Sequence, residues 1–223
     1  MISRKIIVFT GAVACYVGCS GDFLSLYILG SKYPGYSHLT DPVSFLGSSV
    51  SPVSGLISVL WIILGVLMIT FAFGFRAAYS PADRYVKIAF WLLVLYGLGE
   101  GMGSGLFKAD RVNDSYTISF IIHDILGGAG VLAILVLTLI VQKIDEFSVS
   151  RGFQIFSHII LILGILFLIL FTQRFIGSKN VISHEVAKYT GLWQRLLILD
   201  YYVYLIVIAT RMVKSTVNVT IPA

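Results

Sequence analysis

The stretch YGLGEGMGSGLFKAD, residues 96–110, is the part of the chain around which the rest is organised. It ends a long apolar run, and glycine recurs at every second position through its centre. On a helix these glycines fall on two nearly opposite faces, with Gly97, Gly101 and Gly105 on one and Gly99 and Gly103 on the other. Small residues on two sides let neighbouring membrane helices approach closely from both. The stretch therefore predicts a central helix packed between two others.

Glu100 lies in the middle of this stretch. A carboxylate inside a membrane bundle is costly and is usually retained for a purpose. Two interpretations stay open: a structural acid that is protonated and bonded to a neighbouring backbone, or an acid that takes part in function. Both place a polar group inside an apolar bundle, and this position indicates where a site would lie.

The composition is that of an integral membrane protein. Of 223 residues, 57% are hydrophobic and 12% are charged, whereas ordinary soluble domains carry about 25% charged residues. At roughly 20 residues for each span, this length fits about six helices. The net charge of +5 comes from single basic residues at the ends of apolar runs. Such residues are typical of membrane anchors and do not indicate nucleic-acid binding.

Apolar runs and helix-start signals predict an all-α fold: a polytopic membrane protein with a six-transmembrane-helix bundle, in a single domain over residues 1–223. The predicted spans are about 6–29, 53–73, 85–107, 118–141, 153–172 and 192–212. After the first span, Asp41 and Pro42 are the start signal of a short helix that ends near Gly47. Because this helix is too short to span, we expect it at the membrane interface, in the first outer loop.

Basic residues at the span ends weakly favour both termini on the inner side. Five ionisable residues on four spans then lie about 8 to 12 Å from the outer ends of their spans, at 1.5 Å of rise per residue. They are Asp22, Glu100, His123, Asp124 and Asp200. Arg195 lies closer to the outer side and can reach the same depth with its long side chain. The shared depth predicts a polar pocket that opens toward the outer face.

Four carboxylates in one pocket cannot all carry a charge together unless Arg195 and His123 neutralise some of them. A neutral acid beside an ionised one is the arrangement that acid–base chemistry uses. It also fits a proton-coupled carrier or a structural polar network. The histidines expected on the outer side, His38, His123 and His184, could form a zinc site with an aspartate. Their spacing does not require one, and no metal site is predicted.

The loop before the second span is rich in hydroxyl groups, at Ser37, Thr40, Ser44, Ser48, Ser49 and Ser51. One of them could lie over the pocket as a nucleophile or a ligand donor. The alternative is that they cap short helices and satisfy the loop backbone. The sequence contains neither a GxSxG nor an HExxH motif, so it has no common hydrolase signature.

Several blocks of the sequence resemble the domain of unknown function 998 (DUF998) family of bacterial and archaeal polytopic membrane proteins. The blocks are YPGYSHLTDPVSFLGSSVSP (33–52), GSGLFKAD (103–110), HDILGG (123–128) and GLWQRL (191–196). The resemblance implies the fold and little chemistry, because the family lacks an agreed activity. The motif residues it singles out are Tyr36, Asp41, Ser44, Gly47, Asp110, His123, Asp124, Gln194 and Arg195.

The resulting hypothesis is that a polar cavity in the outer-leaflet half binds or processes a lipid or lipid-linked head group. The candidate catalytic residues, which would act as acid or base, are Glu100, His123 and Asp124. The candidate substrate-binding residues are Asp22, Asp41, Ser44, Asp110, Gln194, Arg195 and Asp200. Among them, Arg195 is expected to meet a phosphate or carboxylate. The sequence identifies no cofactor.

Two other functions stay open. The same acids could serve a small proton-coupled carrier, or they could form the polar network of a non-catalytic membrane assembly subunit. The expected location is the cytoplasmic (inner) membrane of a prokaryote, with a multi-pass chain and both termini cytoplasmic. The expected partners are membrane lipids and no nucleic acid, and a homo-oligomer is left open.

Overall fold

Long helices joined by short connections make up the fold. The computed structural model describes residues 3–79, 81–112, 115–176 and 181–218. Six helices in these ranges are long and apolar enough to cross a membrane, which confirms the predicted all-α, six-span architecture. They are α1 (Arg4–Gly30), α2 (Ser54–Ala78), α3 (Arg84–Leu106), α4 (Ile118–Val141), α5 (Arg151–Ile176) and α6 (Thr190–Asn218). Each predicted span overlaps one of these helices.

Short elements occupy the connections. A 3-10 helix, Val43–Gly47, lies where the sequence predicts a short helix after the first span. Its position at the membrane interface stays a prediction. Two further short helices, Asp145–Ser148 and Val181–Lys188, lie between α4 and α5 and between α5 and α6. The strands β1 (Arg111–Val112) and β2 (Ser115–Tyr116) form a small antiparallel ribbon between α3 and α4.

The two ends of the bundle differ. At one end, Arg4 donates hydrogen bonds from Nε and Nη2 to the carbonyl oxygens of Ala77 and Ala78, at 2.8 and 2.6 Å. Both carbonyls belong to the last turn of α2, where no later residue of the helix can donate to them. The other end carries residues 31–53, 107–112 and 115–117, and we call it the loop end.

On one side, α3 packs directly on α2, as its first glycine face predicts. A Cβ placed on Gly97 would lie 2.7 Å from the carbonyl oxygen of Gly65, and a Cβ on Gly101 would overlap the Gly65 Cα. A Cβ on Gly105 would lie 2.6 Å from the carbonyl oxygen of Ser58. The two backbones therefore meet at a separation that any larger side chain would increase.

The opposite face of α3 meets α4 in the same way. A Cβ on Gly99 would overlap the carbonyl oxygen of Leu126, and one on Gly103 would lie 2.8 Å from the Leu126 Cβ. The predicted central helix between two neighbours is thus confirmed. Residues Gly97–Gly103 form a π-helical turn with Glu100 at its centre. Such turns are rare and occur frequently at functional sites.

The least protein-covered of these six helices is α5. In its most apolar window of 18 residues, 17% of the residues are buried, whereas the corresponding share in the other five helices is 44–56%. Its closest packing is against α6. Most of the α5 surface is therefore left uncovered by the other described helices.

Replacing Gly101 by alanine should destabilise the bundle, because the new Cβ would overlap the α2 backbone at Gly65. Overpacking of this kind costs about 1–3 kcal/mol, so we expect a lower midpoint of thermal unfolding in detergent. The matched control is Gly21→Ala on α1, where a new Cβ would meet no atom within 4 Å. Equal unfolding midpoints for the two variants would contradict direct packing of α3 on α2.

Candidate functional site

A cavity of about 460 Å³ lies between α3, α4, α5 and α6. This volume is within the usual range for small-ligand pockets, about 300–1,000 Å³. Its polar lining consists of Ser44, Glu100, His123, Asp124, Thr172 and Gln194, together with the hydroxyl-bearing rings of Tyr96 and Tyr201. Much of its apolar lining comes from α4 and α5, at Val131, Leu132, Leu168, Ile169, Phe171 and Phe175. We call it the large cavity.

The polarity of the large cavity changes along the bundle. At the loop end its walls include Ser44, His123 in the second turn of α4, and Gln194 near the start of α6. Val131 lies about 12 Å further along α4 than His123, at 1.5 Å of rise per residue, and Leu168 faces the same inner part from α5. Most of its polar side chains therefore lie under the loop of residues 31–53, and its walls near the middle of the bundle are mainly apolar, apart from the hydroxyl groups of Tyr96 and Tyr201.

A second cavity of about 20 Å³, the small cavity, adjoins the first toward α1 and α2. Its lining includes Asp22, Trp61 and Tyr202, which do not line the large cavity. Four polar side chains line both cavities, and we call them the polar quartet: Ser44, Glu100, His123 and Gln194. They come from the 3-10 helix, α3, α4 and α6, and the fold brings them to one place.

Within the quartet, a hydrogen bond determines which ring nitrogen of His123 carries the hydrogen in the neutral form. The side chain is buried, and its Nδ1 lies 2.9 Å from the carbonyl oxygen of Phe107. Because a carbonyl oxygen can only accept, Nδ1 is the donor. Phe107 directly follows α3, so its carbonyl has no donor within that helix. This bond leaves Nε2 as the basic nitrogen of the neutral ring.

Two glycines of α4 provide the space that Glu100 occupies. A Cβ on Gly127 would lie 3.0 Å from Glu100 Oε2, and a Cβ on Gly130 would lie 3.0 Å from the Glu100 Cβ. The described residues provide no hydrogen bond to the Glu100 carboxyl group, which borders both cavities. Polar groups in protein interiors normally have a partner. The cavities are where a partner for this carboxyl group fits.

The loop and α6 position the other two members of the quartet. Gln194 Oε1 accepts a hydrogen bond from the backbone N–H of Val43 at 2.7 Å. This bond distinguishes the two ends of the amide: Oε1 holds the loop, and Nε2 is the donor directed elsewhere. Val43 begins the 3-10 helix, so the same bond places Ser44, the next residue, against the cavities.

Asp22 lies on the α1 side of the small cavity. It is buried and accepts a hydrogen bond from the Tyr202 hydroxyl at 2.7 Å through Oδ2. Its Oδ1 has no hydrogen-bond partner among the described residues. The structure therefore brings Asp22 beside the polar quartet but not into the large cavity.

Arg195 binds the loop and lines neither cavity. Its Nη1 donates to the carbonyl oxygens of His38, Asp41 and Gly191, at 2.8, 3.2 and 2.9 Å. Its Nη2 donates to the Tyr36 hydroxyl at 2.6 Å and to His38 Nδ1 at 3.2 Å. The side chain is only 4% exposed. We call these contacts the loop clamp, because they hold the loop on the start of α6.

Asp41 and Asp110 also stabilise the loop. Asp41 Oδ2 accepts a hydrogen bond from the backbone N–H of Ser37 at 2.8 Å. The Asp110 carboxylate accepts from the backbone N–H and the hydroxyl of Ser49, at 2.7 and 2.6 Å. Neither acid lines a cavity. Their predicted role in substrate binding stays a prediction without a cavity contact.

The last two acids have different surroundings. Asp124 lines the large cavity next to the quartet. Asp200 is buried beside α5, where a Cβ on Gly164 would lie 3.2 Å from its Oδ2. That oxygen has no hydrogen-bond partner among the described residues, and Asp200 lines neither cavity. The structure therefore separates Asp200 from the other acids of the predicted constellation.

The three histidines considered for zinc also have different surroundings. His123 borders the cavities, His38 contacts Arg195, and His184 is exposed on the short helix before α6. In the part of the chain that the structure describes, no three His, Cys, Asp or Glu side chains are grouped closely enough to hold a metal ion.

Sequence reasoning did not find the apolar part of the site. Tyr96, Tyr201 and Leu168 line it, and their residue types are those of any membrane helix. Gly127 and Gly128 also line the cavity, and they belong to a recognisable signal, the glycines at 127, 128 and 130. A Cβ on Gly128 would meet no atom within 4 Å, because it would point into open space.

A family described as "Protein of unknown function (DUF998)" matches residues 16–211, and this range includes every residue named above as lining a cavity. The chain belongs to this family. Comparison with curated proteins and with solved structures gives no match. The DUF998 match confirms the resemblance seen in the sequence blocks, and the function is inferred from the site itself.

In this DUF998 protein, burial lowers the pKa of His38 below its usual value, and the Arg195 guanidinium lowers it further. A histidine whose pKa is lowered by folding stabilises the fold above its usual pKa of about 6.5. That contribution is lost as the pH falls through the folded-state pKa. We therefore expect the unfolding midpoint to fall between about pH 7.5 and pH 5, as the loop clamp acquires a second positive charge.

His38→Asn tests this expectation, because asparagine retains an acceptor for Arg195 and does not titrate. Its unfolding midpoint should fall less over the same pH range than that of the wild type. His158→Asn, at an exposed histidine of α5, is the control and should behave like the wild type. The same pH dependence in His38→Asn and wild type would contradict a role for the neutral His38 ring.

Proposed function

We propose that the large cavity binds a membrane lipid or lipid-linked molecule, with its head group at the polar quartet. One observation supports this above all: most polar side chains of the cavity lie under the loop, and its walls near the middle of the bundle are mainly apolar. A lipid has the same change of polarity along its length. The head group would lie under the loop, and the start of the chain would lie along α4 and α5.

The quartet offers both donors and acceptors to a head group. Gln194 Nε2 donates, His123 Nε2 accepts, and the Ser44 hydroxyl can do either. Glu100 and Asp124 add carboxyl groups at the same end. Convergent polar groups at one end of a mainly apolar pocket fix the orientation of a ligand. We assign Glu100, His123 and Asp124 to contact with the head group, where they can also exchange protons with it.

The bilayer is the proposed source of the ligand. The cavity wall formed by α5 belongs to the membrane helix least covered by protein, so little protein separates this side of the cavity from lipid. A volume of about 460 Å³ lies in the lower half of the range for ligand pockets. It suits a head group and the first part of a chain, and the rest of the chain would remain in the bilayer.

The loop clamp contributes indirectly in this proposal. Arg195 uses both terminal nitrogens to hold the loop, and Gln194, the preceding residue, holds Val43. Together they keep Ser44 at the cavity. We therefore propose that Arg195 shapes the polar end of the site, in place of the direct contact with a phosphate or carboxylate that the sequence suggested.

We further propose a prokaryotic inner membrane with both termini cytoplasmic, in which the loop end faces outward. The weak excess of basic residues on the side of the termini supports this orientation. The large cavity would then open in the outer-leaflet half and receive lipids from that leaflet.

Gly128→Leu should abolish lipid retention by filling the cavity. A Cβ at this position meets no atom within 4 Å, so the leucine can extend into the cavity without displacing a helix. Gly21→Leu is the matched control, on an exposed site of α1 with equally open surroundings. Native mass spectrometry after mild detergent extraction should show at least tenfold less bound lipid in Gly128→Leu than in Gly21→Leu. Equal retention in both would contradict binding in the large cavity.

Glu100→Gln tests the head-group contact at nearly constant shape. Loss of the carboxyl group should lower retention of the bound lipid about tenfold. A loss of this size is expected when one hydrogen bond to a charged group is removed. Asp110→Asn is the control, because Asp110 binds the loop and lies outside both cavities. If Glu100→Gln retains as much lipid as Asp110→Asn, then Glu100 does not contact the head group.

A further inference from the structure

The serines of the loop differ in what their hydroxyl groups contact. Four of them engage their hydroxyl groups within the loop or with Asp110: Ser37, Ser48, Ser49 and Ser51. Ser44 is different, because it borders both cavities and the described residues provide no hydrogen bond to its hydroxyl group. It is 6% exposed, so this hydroxyl group faces the cavities and little else.

His123 and Ser44 both border the small cavity. Both side chains line this space of about 20 Å³, which is room for about one water molecule. A single water held in this space would connect the Ser44 hydroxyl group to His123, and one bridging water is within the range over which a general base acts. The bond from Nδ1 to Phe107 leaves Nε2 as the basic nitrogen.

Gln194 completes the arrangement with a donor. Its Oε1 is held by Val43, and its Nε2 group belongs to a side chain that lines both cavities with Ser44 and His123. A hydroxyl group beside a base, with a fixed amide donor nearby, is the set of groups that acyl transfer uses. Here the three groups come from three separate segments of the chain, so no short sequence motif could predict the arrangement.

We propose that Ser44 is the nucleophile of an acyl-transfer reaction on an ester of the bound lipid, with His123 as its base. This inference rests on the proposed lipid site and specifies its substrate class: a lipid with an ester carbonyl near its head group. Ser37, Ser48, Ser49 and Ser51 are not candidates for this role, because they line neither cavity.

In the first step, Ser44 Oγ attacks the ester carbonyl carbon, and its proton passes to His123 Nε2, directly or through one water. The carbonyl oxygen becomes an oxyanion, to which Gln194 Nε2 donates. Collapse of this intermediate breaks the bond to the alcohol oxygen. That oxygen takes the proton from His123 and leaves as the free alcohol, and the acyl group remains on Ser44.

In the second step, water or another alcohol attacks the acyl carbon and gives its proton to His123. Collapse breaks the bond to Ser44 Oγ, which recovers the proton from His123. The products are a fatty acid or a new ester, and the enzyme is restored. No oxidant, reductant or metal is needed for this sequence of bonds.

A fluorophosphonate probe tests the proposal in the purified, full-length protein without a known substrate. Ser44 Oγ would form a bond to phosphorus and displace fluoride, while its proton leaves through His123. Peptide mass spectrometry should locate the adduct on Ser44. His123→Gln should slow the labelling about 100-fold, within the usual range for loss of a general base.

Two controls make the result specific. Ser44→Ala should lose the adduct but keep the thermal unfolding midpoint of the wild type, which shows that it folds. Ser49→Ala removes an exposed serine of the same loop and should be labelled like the wild type. A wild-type protein that retains lipid but gives no adduct at Ser44 would overturn the acyl-transfer proposal and leave the lipid site standing. A wild-type protein that retains no lipid would overturn both.

Discussion

Direct backbone contact between α3 and its two neighbours is the constraint on which the site depends. Glycines on both faces of α3 allow the helix to touch α2 at Gly65 and α4 at Leu126. The π-helical turn between these contacts carries Glu100, and glycines of α4 leave the space that it occupies. The carboxyl group is therefore held at the border of two cavities by packing, without a hydrogen bond from the described residues.

The polar residues form two sets with different structural roles. Arg195, Asp41 and Asp110 hold the loop through hydrogen bonds within it and to it, and they line neither cavity. The polar quartet lines both cavities instead. The two sets are joined at Gln194, which binds the loop through Oε1 and borders the cavities with the rest of its amide. Stability of the loop and shape of the site are therefore coupled.

Six spans and a central α3 were predictable, because apolar runs and glycine spacing act locally along the chain. The meeting of Asp22, Glu100 and His123 at one cavity agrees with the heights predicted for them, since rise per residue sets position along a helix. The direction in which each side chain points around its helix axis was not predictable, because it depends on packing between helices. Asp200 was predicted at the depth of the other acids but lies against α5, while Arg195 turns toward the loop. The leucine, isoleucine and phenylalanine side chains of the apolar wall carry no signal of their own, because they are typical of any membrane helix.

A cryo-electron microscopy structure of the protein in lipid nanodiscs tests most directly whether the large cavity is a lipid site. Elongated density should fill it, with the head group against Ser44, Glu100 and His123, and with the chain leaving beside α5. A cavity that is closed by contact between α4 and α5, or one that holds only water while lipids lie elsewhere on the bundle, would contradict the account.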